Sequence, residues 1–190
     1  MDNINPVVCV FCGSSHGSDA AHASAARRMG TLIGEHGFDL LFGGGYVGLM
    51  GEVARSAREA GARVTGVLPE FLRYLEPPSP RDESVIFTAD LQERKRVMLS
   101  KSDAFVVLAG GLGTLDEFFE VITSAQLGEL PKPVVLVDHA GFYASLEALL
   151  ARIVSEGFAR PDIRSFYRRV ERPEEAIDLL RERLGRPARA

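Results

Sequence analysis

Short apolar runs bounded by glycine or proline alternate along this chain with longer segments of helical period, and that alternation restricts the fold more than any other feature. The runs fall at residues 7–11, 39–42, 63–68, 84–87, 104–108, 134–137 and 167–170. Helical periodicity occupies residues 20–35, 49–60, 91–101, 115–127, 143–156 and 173–184. Buried strands separated by helices pair in parallel through crossovers. The pattern therefore predicts an α/β fold: one Rossmann-like domain over residues 1–184, doubly wound, with a mostly parallel sheet and helices on both faces. Residues 185–190 are expected to form a frayed tail. Right-handed crossovers gather the loops at residues 12–18, 43–48, 69–83 and 109–113 along the carboxyl edge of the strands, where sheets of this kind bind ligands. Within the third loop, Glu76-Pro77-Pro78-Ser79-Pro80 reads as a stiff surface segment, since its prolines cannot continue a helix.

The charge balance narrows the partners. With 22 Lys and Arg against 26 Asp and Glu, the chain is formally −4, which argues against binding nucleic acid through phosphate neutralisation. No apolar run is as long as a membrane span, and the first residues lack the charged and apolar regions of a signal peptide. No membrane partner and a cytoplasmic location are expected. Cys9 and Cys12 form a C-x-x-C, but Cys9 lies in a predicted strand and no second ligand pair follows, so neither a metal site nor a redox pair is expected.

The run Gly110-Gly111-Leu112-Gly113-Thr114-Leu115-Asp116-Glu117 follows the fifth apolar stretch. A glycine turn after a buried strand lets backbone approach a ligand, and the following helix offers N–H groups and the positive end of its dipole to an anion. Thr114-x-x-Glu117 also fits a capping box, with Thr114 as N-cap, and spacing alone leaves both readings open. Gly43-x-Gly45-x-x-Gly48 matches the dinucleotide fingerprint, although that motif usually follows the first strand. Here Phe11-Cys12-Gly13-Ser14-Ser15 takes that place, which favours a mononucleotide over NAD. In Asp90-Leu91-Gln92-Glu93-Arg94-Lys95-Arg96-Val97-Met98, Asp90 and Glu93 suit a helix start. The cations that follow sit where the helix dipole disfavours them, so they ask for an anionic partner or form a solvated surface cluster eased by Glu93, and this segment alone leaves both readings open.

Taken together these segments resemble a known family. Gly110-Gly111-x-Gly113-Thr114-x-x-Glu117 resembles the PGGxGTxxE signature of the Lonely guy family, and Arg94-Lys95-x-x-Met98 resembles the end of its MHxRKxxM signature. The resemblance extends through Phe11-Cys12-Gly13-Ser14-Ser15, Gly43-Gly44-Gly45-x-x-Gly48-Leu49-Met50-Gly51 and residues 120–128, and reaches about residue 157. The chain departs from the signatures at Ala109 for proline, Leu91 for methionine and Gln92 for histidine. The last removes a group that titrates near neutral pH. The resemblance implies an N-glycosidase that releases the base from a purine ribonucleoside 5′-monophosphate, either AMP or a cytokinin riboside monophosphate, without cofactor or metal, and as a homodimer.

By the same resemblance, Arg94 and Glu117 form the catalytic pair. Nucleotide contacts are implied for Glu76, Lys95, Met98, Gly110, Gly111, Leu112, Gly113, Thr114, Leu115, Asp116 and Thr123, together with Gly13, Ser14, Gly44 and Gly45 from the first two loops. The family has often been called lysine decarboxylase, but only Lys95, Lys101 and Lys132 are available for a Schiff base. The alternative is a non-catalytic carrier of a nucleotide-like cofactor such as molybdopterin, for which the same sheet and loops would serve.

Overall fold

The strand Val7–Phe11 (β1) is buried on both faces, and its side chains alternate between two separate cores. Val8 and Val10 face one core, while Cys9 and Phe11 face the other. Cys12, three residues from Cys9, joins the first core, so the two free thiols lie on opposite sides of the sheet.

The computed structural model describes residues 5–74 and 84–185. Its chain order after β1 is α1 (Ala20–Glu35), β2 (Asp39–Phe42), α2 (Gly48–Glu59), β3 (Val64–Pro69), β4 (Val85–Thr88), α3 (Leu91–Lys101), β5 (Ala104–Val107), α4 (Leu112–Gln126), β6 (Val134–Val137), α5 (Ala144–Ser155), β7 (Arg168–Val170) and α6 (Pro173–Arg183). Short 3₁₀ turns occupy Glu70–Leu72, His139–Gly141 and Pro161–Ser165. Glu76 and the proline-rich segment lie outside the described residues, as does the tail beyond Gly185.

The seven strands form one sheet in the order β4-β3-β2-β1-β5-β6-β7, and every neighbouring pair is parallel. From β1 the chain winds outward through β2 and β3. It then returns to β5 and winds the other way. The reversal falls between β1 and β5, and there the two loops diverge above and below the sheet to leave a crevice.

Two helices have the starts that their side chains encode. Asp19 caps α1 by accepting from Ala21 N at 2.8 Å. Asp90 caps α3 by accepting from Glu93 N at 2.7 Å, while the Glu93 carboxylate accepts from Ala89 N at 2.6 Å. The helix α4 corrects the sequence reading. It begins at Leu112 with Gly111 as its N-cap, so Thr114 is the third helical residue and Glu117 the sixth. Glu117 therefore has no capping function.

Helices α1 and α2 cross at contact distance because Gly30 has no side chain: a Cβ there would strike the Val53 carbonyl oxygen and lie 3.0 Å from Ala57 N. Gly30→Ala must push the helices apart, and a loss of about 1–3 kcal/mol in chemical denaturation is expected. An unchanged midpoint would show that the crossing tolerates the methyl.

Candidate active site

A cleft of about 260 Å³ opens at the β1–β5 crevice. One wall is the β1 loop with Gly13 and Ser14, the opposite wall is residues 111–114 of α4, and Arg94 and Glu117 lie at its base. The first turn of α4 presents the N–H groups of Leu112, Gly113 and Thr114, which by position have no intrahelical acceptor. Gly110 makes the approach to this turn feasible, because any Cβ there would overlap the Thr114 hydroxyl. Gly13 N donates to Ala109 O at 3.0 Å and ties the two walls together.

The fingerprint glycines at α2 serve a different purpose. Met50 N donates to Gly13 O at 3.2 Å and Leu49 N to Ser15 O at 3.4 Å, so carbonyls of the β1 loop occupy the amino end of α2. Gly48, at φ +62°, permits this contact, since a Cβ would collide with the Ser14 backbone. Gly44 packs on Val67 and Leu68, and Gly45 is buried outside the cleft. The amino end of α2 is thereby closed to an anion, whereas the tip of α4 stays open to the cleft.

Arg94 is held at three points. Its Nη1 donates to Glu117 Oε1 at 2.6 Å, its Nε donates to Val67 O at 3.1 Å, and the guanidinium lies over Gly43, where a Cβ would come within 2.5 Å of Nη2. The side chains of Arg94 and Glu117 are only 13% and 8% exposed. Burial pushes the Glu117 carboxyl above the ordinary carboxylate range, and the charge and hydrogen bond of Arg94 pull it back. A carboxylate one helical turn below Gly113 lies about 6 Å deeper than the anion-binding tip. The arrangement offers a negative end of a ligand to the helix and a developing positive centre to Glu117.

The remaining implied residues separate by position. Lys95 turns away from the cleft and joins α3 to α4, with Nζ 3.1 Å from Asp116 Oδ2 and 2.6 Å from Glu120 Oε2. The anions that Arg94 and Lys95 require are thus carboxylates of the chain itself. Met98 is fully buried in the core beneath the sheet, and Leu115 packs against that core. Asp116 and Thr123 are exposed on α4 outside the cleft. Sequence reasoning missed Gly43, Met50, Leu72 and Leu91 as lining residues. In the sequence Leu91 stands in a helix start and departs from a signature, and Gly43 belongs to two glycine motifs; neither position signals a place in the cleft lining.

Sheet order and cleft together define a class: a doubly wound α/β protein with a phosphate-ready helix tip and a buried Arg–Glu pair at its switch point. A family model described as possible lysine decarboxylase matches residues 50–180. The chain is 43% identical over 157 residues to a cytokinin riboside 5′-monophosphate phosphoribohydrolase of Arabidopsis thaliana, covering 83% of this chain and 74% of the relative. It is 42% identical over 175 residues to a protein of Oryza sativa subsp. japonica named as a probable enzyme of the same kind, covering 92% and 72%. The chain belongs to this phosphoribohydrolase family, the Lonely guy family.

Among solved structures, the molybdenum cofactor binding protein from the phototrophic bacterium Rippkaea orientalis superimposes with a TM-score of 0.73 at 23% identity, covering 96% of this chain and 99% of that one. At that identity the likeness establishes the shared fold. The decarboxylase description finds no chemical support in the cleft. No lysine lines it, so a Schiff-base cofactor would have no point of attachment.

Proposed function

We propose that the chain hydrolyses the N-glycosidic bond of a purine ribonucleoside 5′-monophosphate, AMP or an N6-substituted cytokinin riboside monophosphate. The observation that carries this reading is the buried Arg94–Glu117 pair one helical turn below the amino tip of α4. The 5′-phosphate accepts from the N–H groups of Leu112, Gly113 and Thr114, with Gly13 and Ser14 across the cleft, and the ribose then lies beside Glu117. As the bond from C1′ to the base nitrogen breaks, its electron pair leaves with the base and positive charge grows on the sugar ring. The Glu117 carboxylate stabilises that charge and accepts a proton from the attacking water. The water oxygen becomes the C1′ hydroxyl, the proton taken up by Glu117 passes through solvent to the departing base, and neutral base and ribose 5-phosphate remain with the carboxylate restored. Arg94 holds the carboxylate in place and supplies a cation near the sugar and phosphate oxygens. The apolar side chains Met50, Leu72 and Leu91 give the base its wall.

Incubation with AMP and with N6-isopentenyl-AMP, followed by chromatography of the free base, tests the reading. Release from at least one is the expected result, and release from neither overturns it. A carrier of a nucleotide-like cofactor is the competing reading, resting on the shared fold of the molybdenum cofactor binding proteins. It requires no carboxylate at position 117.

Lys95 is assigned here a structural part, holding α3 against α4 so that Arg94 meets Glu117. Lys95→Met is expected to lower stability by about 1–2 kcal/mol and kcat by less than tenfold. A large rise in KM with unchanged stability would instead put Lys95 on the nucleotide. We also assign the chain to a homodimer in the cytoplasm. The dimer is supported by apolar side chains left in solvent, Leu112 at the start of α4, Leu127 just after its end and Leu149 of α5. Light scattering at the mass of one chain would refute it. No helix among the described residues is long and apolar enough to cross a membrane.

A further inference from the structure

A second hollow, of about 420 Å³, lies at the amino edge of the sheet, on the side away from the catalytic cleft. Residues 130–135 before and within β6, residues 165–168 at the start of β7, and the carboxyl-terminal parts of α4 and α6 surround it. Its charged lining is of one sign. Lys132, Arg168 and Arg183 face it, and no Asp or Glu does.

Elsewhere in the same part of the chain the arginines are neutralised one by one. Arg160 pairs with Asp162, Arg164 with Glu147, Arg169 with Asp138, Arg172 with Glu175 and Arg181 with Asp178. In a chain of formal charge −4, three cations with no carboxylate partner among the described residues, converging on one hollow, are a departure from that pattern. Lys132 is also fixed in place: it is partly buried, and its Nζ donates to Leu99 O at 2.7 Å, leaving two ammonium protons to donate elsewhere. Phe166, Leu179 and Pro131 supply apolar surface between the cations.

We propose that this hollow binds a phosphate-bearing organic anion at a site separate from the catalytic cleft. Two guanidinium groups and an ammonium suit a ligand with several phosphate oxygens, each accepting a charge-assisted hydrogen bond. The partly apolar floor takes the carbon portion of the ligand, and the volume falls within the range of small-molecule pockets. This inference does not depend on the hydrolase reading, because none of its residues touches the cleft.

Inorganic pyrophosphate, titrated into the intact protein by calorimetry at low salt, is the probe. The wild type is expected to show a saturable site that weakens as salt is raised. The double variant Arg168→Gln with Arg183→Gln should weaken that site at least about tenfold, and Lys132→Gln should weaken it independently. Arg94→Gln should leave it unchanged. Absence of saturable binding, binding that the double variant retains in full, or a single site abolished by Arg94→Gln would each overturn the proposal.

Discussion

Glu117→Gln is expected to lower kcat by about a thousandfold while nucleotide affinity changes only a few-fold. The substitution preserves shape, and its amide oxygen can still accept from Arg94, so the helix tip and cleft walls should persist. What it removes is the negative charge that faces the developing positive charge on the ribose. The pH profile gives a second readout. The carboxylate is the working form, and burial holds its proton to higher pH than an ordinary carboxyl group. Activity of the wild type is therefore expected to fall as pH drops through an acid limb displaced upward from the usual carboxylate range. The residual activity of Glu117→Gln should lack that limb. Turnover within tenfold of wild type would remove Glu117 from the mechanism.

Arg94→Ala is expected to cost about 10²–10³ in kcat and, unlike Glu117→Gln, to move the acid limb of the surviving activity. Glu117 would then sit with 8% exposure and without its nearest cation. The charge and hydrogen bond of Arg94 that lower its pKa would be gone, leaving burial and the charge of Asp116 to raise it against the smaller pull of Lys95. The limb should move to still higher pH. Arg94→Lys separates charge from geometry: an ammonium restores the cation, yet cannot donate to both Val67 O and Glu117 as the guanidinium fork does. Partial recovery with a limb near that of the wild type is expected. A profile unmoved by Arg94→Ala would mean that the pair is not coupled in the working enzyme.

Much of the architecture was legible because it rests on local patterns. Apolar runs placed β1, β2 and β6 at their observed bounds, and the Asp90 cap marked the start of α3. The start of α4 was misplaced for a physical reason. Thr114 is a stronger capping residue than Gly111, but the Gly110–Gly111 turn lets the helix begin a turn earlier, where backbone geometry rather than a side chain sets the end. That shift decides the character of Glu117, which becomes a side chain aimed into the cleft. The direction of Lys95 was illegible for another reason. Neighbouring helical positions point about 100° apart, so Arg94 and Lys95 cannot share a target, and only the packing of α3 beside α4 determines which faces the cleft. Gly43 likewise gains its meaning from Arg94, a residue from a distant segment that lies across it.

Behind the helix tip, Asp138 is buried at the end of β6, accepts from Tyr143 N at 2.6 Å, and receives Arg169 at 2.6 and 2.8 Å. The Tyr143 hydroxyl in turn donates to Leu108 O at 2.6 Å, just ahead of the glycine turn. The thermodynamics of ligand capture follow from this brace. A phosphate arriving at α4 meets amides already aligned, so little ordering entropy has to be surrendered and association should be enthalpy-driven with a small heat-capacity change. Tyr143→Phe, which removes one hydroxyl from outside the cleft lining, should then weaken binding mainly through a less favourable entropy.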